Sequence, residues 1–118
     1  VRRIALIFMG LASIAQADGW ERLTGEGIQT ALEGRVLTYD AACQEFLPSG
    51  RTFYDAGHES WGYWAVRGDT YCSQWPPADG WACYAVDRRD TQIRFIGESG
   101  DATFGELRAD QDARGVQQ

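Results

Sequence analysis

From position 35 onward the chain is a succession of short β-prone runs broken by turn residues, and no second helical pattern interrupts them. The runs cover residues 35–39, 44–47, 52–54, 61–67, 70–75, 81–86, 92–96 and 102–107. Between them lie Pro48-Ser49-Gly50, Asp55-Ala56-Gly57, Gly68-Asp69, a Pro-Pro segment, residues 87–90 and Glu98-Ser99-Gly100-Asp101. Parallel neighbours need crossovers of about a dozen residues or more, and every connection here is shorter, so the strands run antiparallel. The expected fold is mainly β, an up-and-down meander of about seven to eight strands forming a small barrel or a sandwich.

Ahead of the meander, residues 23–34 carry one short helix signature. Thr24 is a good N-cap, Leu23 and Ile28 stand at the two positions of a hydrophobic staple, and Gly34 suits the stop. Ile28, Ala31 and Leu32 share one face. A helix of about 9 residues is marginal alone, so it must dock, covering one opening or edge of the sheet.

The first seventeen residues read as an export signal. Arg2 and Arg3 form a positive start, an apolar stretch runs through residues 4–15, and Ala15-Gln16-Ala17 is a small-x-small cleavage site. Twelve apolar residues span about 18 Å as a helix against a hydrocarbon core of about 30 Å, which is too short for a membrane anchor. The residues after the two arginines do not complete a twin-arginine motif, and no Cys at the cleavage point invites a lipid anchor. The expected division is therefore a signal at 1–17, one β-rich domain at 18–108 and a polar tail at 109–118, in a periplasmic or secreted protein without stable membrane insertion. With Arg2 and Arg3 removed, nine Arg face seventeen Asp and Glu, and there is no Lys. A formal charge of −8 disfavours nucleic acid and anionic membrane surfaces.

Three cysteines are an odd number. Cys72 and Cys83 lie in TYCSQWPPADGWACY, where an antiparallel hairpin sets them opposite each other with Trp75 facing Gly80 and Pro76-Pro77-Ala78-Asp79 as the loop. A disulfide there should contribute roughly 2–3 kcal/mol. Cys43 is left over, as a free thiol or a route to a covalent dimer. No C-x-x-C spacing occurs and the single histidine, His58, is remote, so neither a metal site nor a cofactor is expected.

Alternation assigns faces. Trp61, Tyr63 and Ala65 fall on one side of their strand and Gly62, Trp64 and Val66 on the other, an aromatic load on both faces that suits a rim or a strand covered twice. In the hairpin, Tyr71, Tyr84, Trp75 and Val86 share one side, and Cys72, Cys83 and Trp81 the other. The candidate binding surface is Trp75, Pro76, Pro77 and Trp81 with Tyr71 and Tyr84, because the Pro-Pro turn holds two amphipathic rings apart at low ordering cost. No catalytic site is read: His58 beside Glu59 lacks a partnered nucleophile, and residues 87–90, Asp-Arg-Arg-Asp, read as a charge-compensated surface turn.

The segments LTGEGIQTALEGRVLTYD, FLPSGRTFYDAG, WGYWAVRGDTYCSQWPP and WACYAV resemble small exported alphaproteobacterial proteins of unknown function. The similarity covers residues 23–96; Gly62, Trp64, Val66, Cys72, Trp75, Cys83 and Tyr84 carry its W-x-V, YCSxWPP and CY motifs, and Cys43 is an addition. It implies an envelope location and supplies no catalytic residue. The functional expectation is a non-enzymatic domain that binds a protein or a small amphiphilic ligand. The alternative is an inhibitor of an envelope hydrolase such as a protease or lysozyme, and an enzyme of unknown class comes third. A filled barrel with a projecting loop would favour protein recognition, and a hollow one lined by Trp and Tyr would favour a ligand.

Overall fold

The computed structural model describes residues 18–108; the expected export signal and C-terminal tail lie outside the described residues. The chain forms β1 (Glu21–Arg22), α1 (Gly25–Leu32), β2 (Val36–Thr38), β3 (Cys43–Phe46), β4 (Arg51–Asp55), β5 (Glu59–Arg67), β6 (Thr70–Gln74), β7 (Ala82–Arg89), β8 (Gln92–Ile96) and β9 (Ala102–Leu107). Strands β2 to β9 pair antiparallel with their sequence neighbours, and β2 also pairs with β9, so the sheet closes into an eight-stranded barrel. The additional strand β1 pairs with the second half of β7, where β6 has already ended. Closure removes the edges that a sandwich would leave.

The meander places the turns alternately at two ends. At one end lie residues 47–50, 68–69, 90–91 and α1; at the other lie residues 39–42, 56–58, 75–81 and 97–101. The helix begins where Thr24 accepts from the Gly27 N–H, and it stops as Gly34 turns to φ 76°, both at the expected positions. The Gly25 N–H donates to the Asp69 carboxylate at 2.7 Å, which ties the helix start to the β5–β6 turn. Ile28, Ala31 and Leu32 then enter the lumen and meet Phe46, Trp64, Val86, Ile93 and Leu107 from strands all around the barrel. This is the dry core, and it plugs the helix end.

The expected alternation holds. Gly62, Trp64, Tyr71, Tyr84 and Val86 face the lumen side, whereas Trp61 and Tyr63 stand outside, 39% and 38% exposed. The Cys72–Cys83 disulfide forms on the outer wall, between residues paired across β6 and β7.

Three expectations need correction. The β6–β7 ladder ends at Ser73 and Ala82, so Trp75 and Gly80 do not pair, and the loop runs from 75 to 81 with a turn closed by the Ala78 N–H on the Trp75 carbonyl. Of the two readings of β5, the second covered face is overturned: the Trp61 face is exposed, with Trp61 near the rim of the barrel. Residues 87–90 are not a surface turn: β7 continues through Arg89, and the reversal falls at Asp90 and Thr91, with Asp90 at φ 60°. Asp87 is 4% exposed, with its carboxylate held by Arg22 of β1 and Arg94 of β8. Burial pushes its pKa up from the ordinary 3.8, but hydrogen bonds and charge from those two guanidiniums outweigh this and hold it below that value. Beside the pair, Trp20 lies between the guanidiniums of Arg89 and Arg94, at 4.4 and 4.2 Å, with its edge on Phe104. The segment before the helix is thereby strapped to the outer wall.

Candidate functional site: the open mouth of the barrel

At the end that α1 does not fill, the lumen opens into a cavity of about 1140 Å³ that continues past the short β2 onto the outward-facing Phe104 and Glu106 of β9. Its wall is built by strand parity. Tyr39 follows β2, Gln44 is on β3, Tyr54 on β4, Tyr71 and Ser73 on β6, Tyr84 on β7 and Phe95 on β8, with Trp75 at the rim. The rings form two groups in edge or tilted contact. Tyr54 meets Tyr39 and Trp75 with centroids 6.0 Å apart in each case, and Tyr71 meets Phe95 at 4.9 Å and Tyr84 at 6.0 Å. Tyr71 and Phe95 are buried and belong to the core cluster, so the open space lies above them, between the half-buried rings of Tyr39, Tyr54, Trp75 and Tyr84.

A polar band runs through the floor. Tyr39 Oη donates to Gln44 Oε1 at 2.6 Å, and Gln44 Nε2 donates to Thr52 Oγ1 and Tyr71 Oη at 2.9 and 3.1 Å. Trp75 Nε1 donates to Ser73 Oγ at 3.1 Å, which fixes the ring at the rim. Buried Gln44 is thus satisfied at both ends of its amide, and the band joins β3, β4 and β6 at one depth. Desolvation pushes the hydroxyls of Tyr39 and Tyr71 above the ordinary 10.0, so both stay neutral through the physiological range.

Gly62 makes room for this arrangement. A Cβ there would lie 2.4 Å from the Gln74 carbonyl oxygen and 2.7 Å from the Trp75 ring, so only glycine lets Trp75 lie across β5. On one side the wall is incomplete. Strand β9 pairs with β8 along residues 102–106 but with β2 only at Glu106 and Leu107, because β2 is three residues long. Ala102, Phe104 and Gly105 accordingly line the cavity from the side, opposite the 39–42 loop.

Of the sequence-derived site residues, Tyr71, Trp75, Pro76 and Tyr84 line this one cavity, while Pro77 is exposed in its rim loop. Trp81 is separated from them: it is half-buried on the outer wall beneath the Arg67 guanidinium, 4.3 Å away. The two tryptophans therefore do not project side by side, and Trp75 packs rather than protrudes. Cys43 is a free, half-buried thiol on β3, and His58 is exposed in the 56–58 loop. Among the described residues no group of three or more His, Cys, Asp or Glu is placed to hold a metal ion, and no helix is long and apolar enough to cross a membrane.

Sequence reasoning missed Tyr39, Gln44, Tyr54 and Phe95 as partners of Tyr71. Each sits on the correct parity of its run, and that signal becomes readable only once the register of a closed barrel is known. No protein family, curated protein or solved structure matches this chain.

Proposed function

We propose that this chain is an exported, non-enzymatic β-barrel that holds one small amphiphilic ligand in its open lumen. The observation that carries the reading is the cavity itself. An eight-stranded barrel is just wide enough either to be filled by side chains or to hold one small ligand, and here the helix fills one end alone. Aromatic walls with a few fixed amide and hydroxyl groups fit a molecule with an apolar body and a polar end. Export is supported by the arginine-led apolar start, the Ala15-Gln16-Ala17 pattern and a disulfide suited to an oxidising compartment.

The exposed loop at residues 76–80 supports a second reading, recognition of an envelope hydrolase by the mouth. Native mass spectrometry of protein purified from its own envelope, followed by solvent extraction, separates the two. A bound small molecule that is lost from a Trp75→Ala, Tyr54→Ala variant supports the ligand reading. A barrel that is empty as isolated and takes up no amphiphile overturns it.

A further inference from the structure

The charges of the described domain are divided between the two ends of the barrel. Residues 18–108 hold fifteen Asp and Glu against eight Arg, a formal excess of seven negative charges. Five of the acidic residues, Asp40, Asp55, Asp79, Glu98 and Asp101, lie in or directly flank the four loops at the mouth, and those loops carry no arginine. The other ten acidic residues and all eight arginines come close to balance. Arg51 and Arg89 flank the turns at the opposite end, Arg35 follows the helix, Arg22 and Arg94 are spent on Asp87, and Arg67 lies along the outer wall over Trp81, away from the lumen. Most of the negative excess of the described domain therefore surrounds one opening.

Among the described residues no basic side chain lines the cavity; its charged members, Asp40 and Glu106, are both acidic and both exposed, Asp40 in the rim and Glu106 on the outward face of β9, where it accepts from Thr91. The remaining polar groups are hydroxyls and amides, and Tyr39, Tyr54 and Trp75 present their rings just below the rim. A ring face is an electron-rich surface that attracts a cation within about 6 Å, more strongly once water is displaced. A low-dielectric opening rimmed by one sign of charge concentrates the opposite ion. An anionic head, such as a carboxylate or sulfonate, would meet these like charges, and no guanidinium of the described residues lines the cavity to receive it.

We infer that the ligand of this barrel is a cationic amphiphile, with its ammonium or amidinium head held between the acidic rim and the rings of Tyr39, Tyr54 and Trp75, and its apolar body against Tyr71, Tyr84 and Phe95. The inference rests on the ligand reading above and adds the charge of the molecule. Occupant and rim are opposite in sign, and the deep rings supply the apolar contact that a simple metal or ammonium ion would not use.

Three probes of one chain length test it below their micellar concentrations: decyltrimethylammonium, 1,2-decanediol and decyl sulfonate, followed by tryptophan fluorescence and calorimetry on the mature protein. At low ionic strength the cation should bind at least about tenfold tighter than the diol, and the sulfonate weakest; the preference should shrink several-fold in about 0.3 M salt. A Glu98→Gln, Asp101→Asn variant should narrow the gap between cation and diol by about twofold per charge, whereas Glu26→Gln with Glu33→Gln, at the helix end, should leave it unchanged. If cation and diol bind equally, or the rim variant keeps the full preference, the cationic assignment fails while the cavity remains a ligand site. If none of the three binds, the cavity reading itself fails and takes this inference with it.

Discussion

The two ends of the barrel are made from the same eight strands with the same inward parity, yet one is a packed apolar core and the other an open mouth. At the helix end, Ile28, Ala31 and Leu32 supply apolar side chains from outside the sheet, and Phe46, Trp64, Ile93 and Leu107 close on them. At the mouth no element of the described residues enters, and the inward positions are taken by the half-buried Tyr39, Tyr54, Tyr84 and Trp75 above buried Tyr71. A barrel of this size thus divides stability from recognition along its axis, and the dividing element is eight residues of helix. The Gln44 band marks the boundary between the two regimes.

The contrast is broken most directly at the plug. Leu32→Ala removes a fully buried side chain, and by the usual cost of a core cavity should lose about 2–5 kcal/mol, seen as a fall in melting temperature of roughly 8 °C or more. If it melts like the wild type, the helix is not the source of the difference between the ends.

Next in size is the disulfide, which closes a loop of sequence separation 11. A Cys72→Ser, Cys83→Ser variant should lose roughly 2–3 kcal/mol, and amide exchange should rise in the β6–β7 hairpin that carries Trp75 before it rises at the helix.

Asp87→Asn should cost about 1–3 kcal/mol, because Arg94 and Arg22 lose the buried charge they neutralise. Its pH dependence has a definite sign. The folded carboxyl titrates below the ordinary 3.8, so its contribution is complete above that pH and is lost as pH falls through the lower folded value. The gap in stability between wild type and variant should therefore be full at neutral pH and close in acid; a gap that persists there would assign the loss to packing. The smallest effect is expected at the mouth, where Trp75→Ala removes a half-buried ring and should cost about 1–2 kcal/mol while changing amphiphile binding most.

The helix and the barrel strands were legible because their signals are local. Thr24, the Leu23 and Ile28 pair and Gly34 mark the helix limits, and turn residues separate each β run. The hairpin register that pairs Cys72 with Cys83 and Tyr71 with Tyr84 was likewise contained in one short segment. What depended on distant partners was not legible. Glu21–Arg22 is too short and too polar to announce a strand. Asp87, Arg88 and Arg89 resemble a turn until Arg22 and Arg94, remote in sequence, neutralise the buried aspartate. The mouth was half visible: Tyr71, Trp75 and Tyr84 follow from the hairpin, but Tyr39 and Tyr54 join them only through barrel closure.

Closure also governs when the protein can come into existence. The barrel seals by pairing Leu37 with Leu107, and the neighbouring contact between Thr38 and Arg108 spans 70 positions of chain. Until that last strand is available, β2 and β8 both present raw edges and the lumen cannot hold its shape. The hairpins between sequence neighbours can form locally, but the seam waits on nearly the whole polypeptide, and until it closes the emerging chain stays loose. If the chain is exported as proposed above, that delay is an asset: a polypeptide that crosses a membrane in extended form would have little native structure to unravel, and the barrel would lock on the far side.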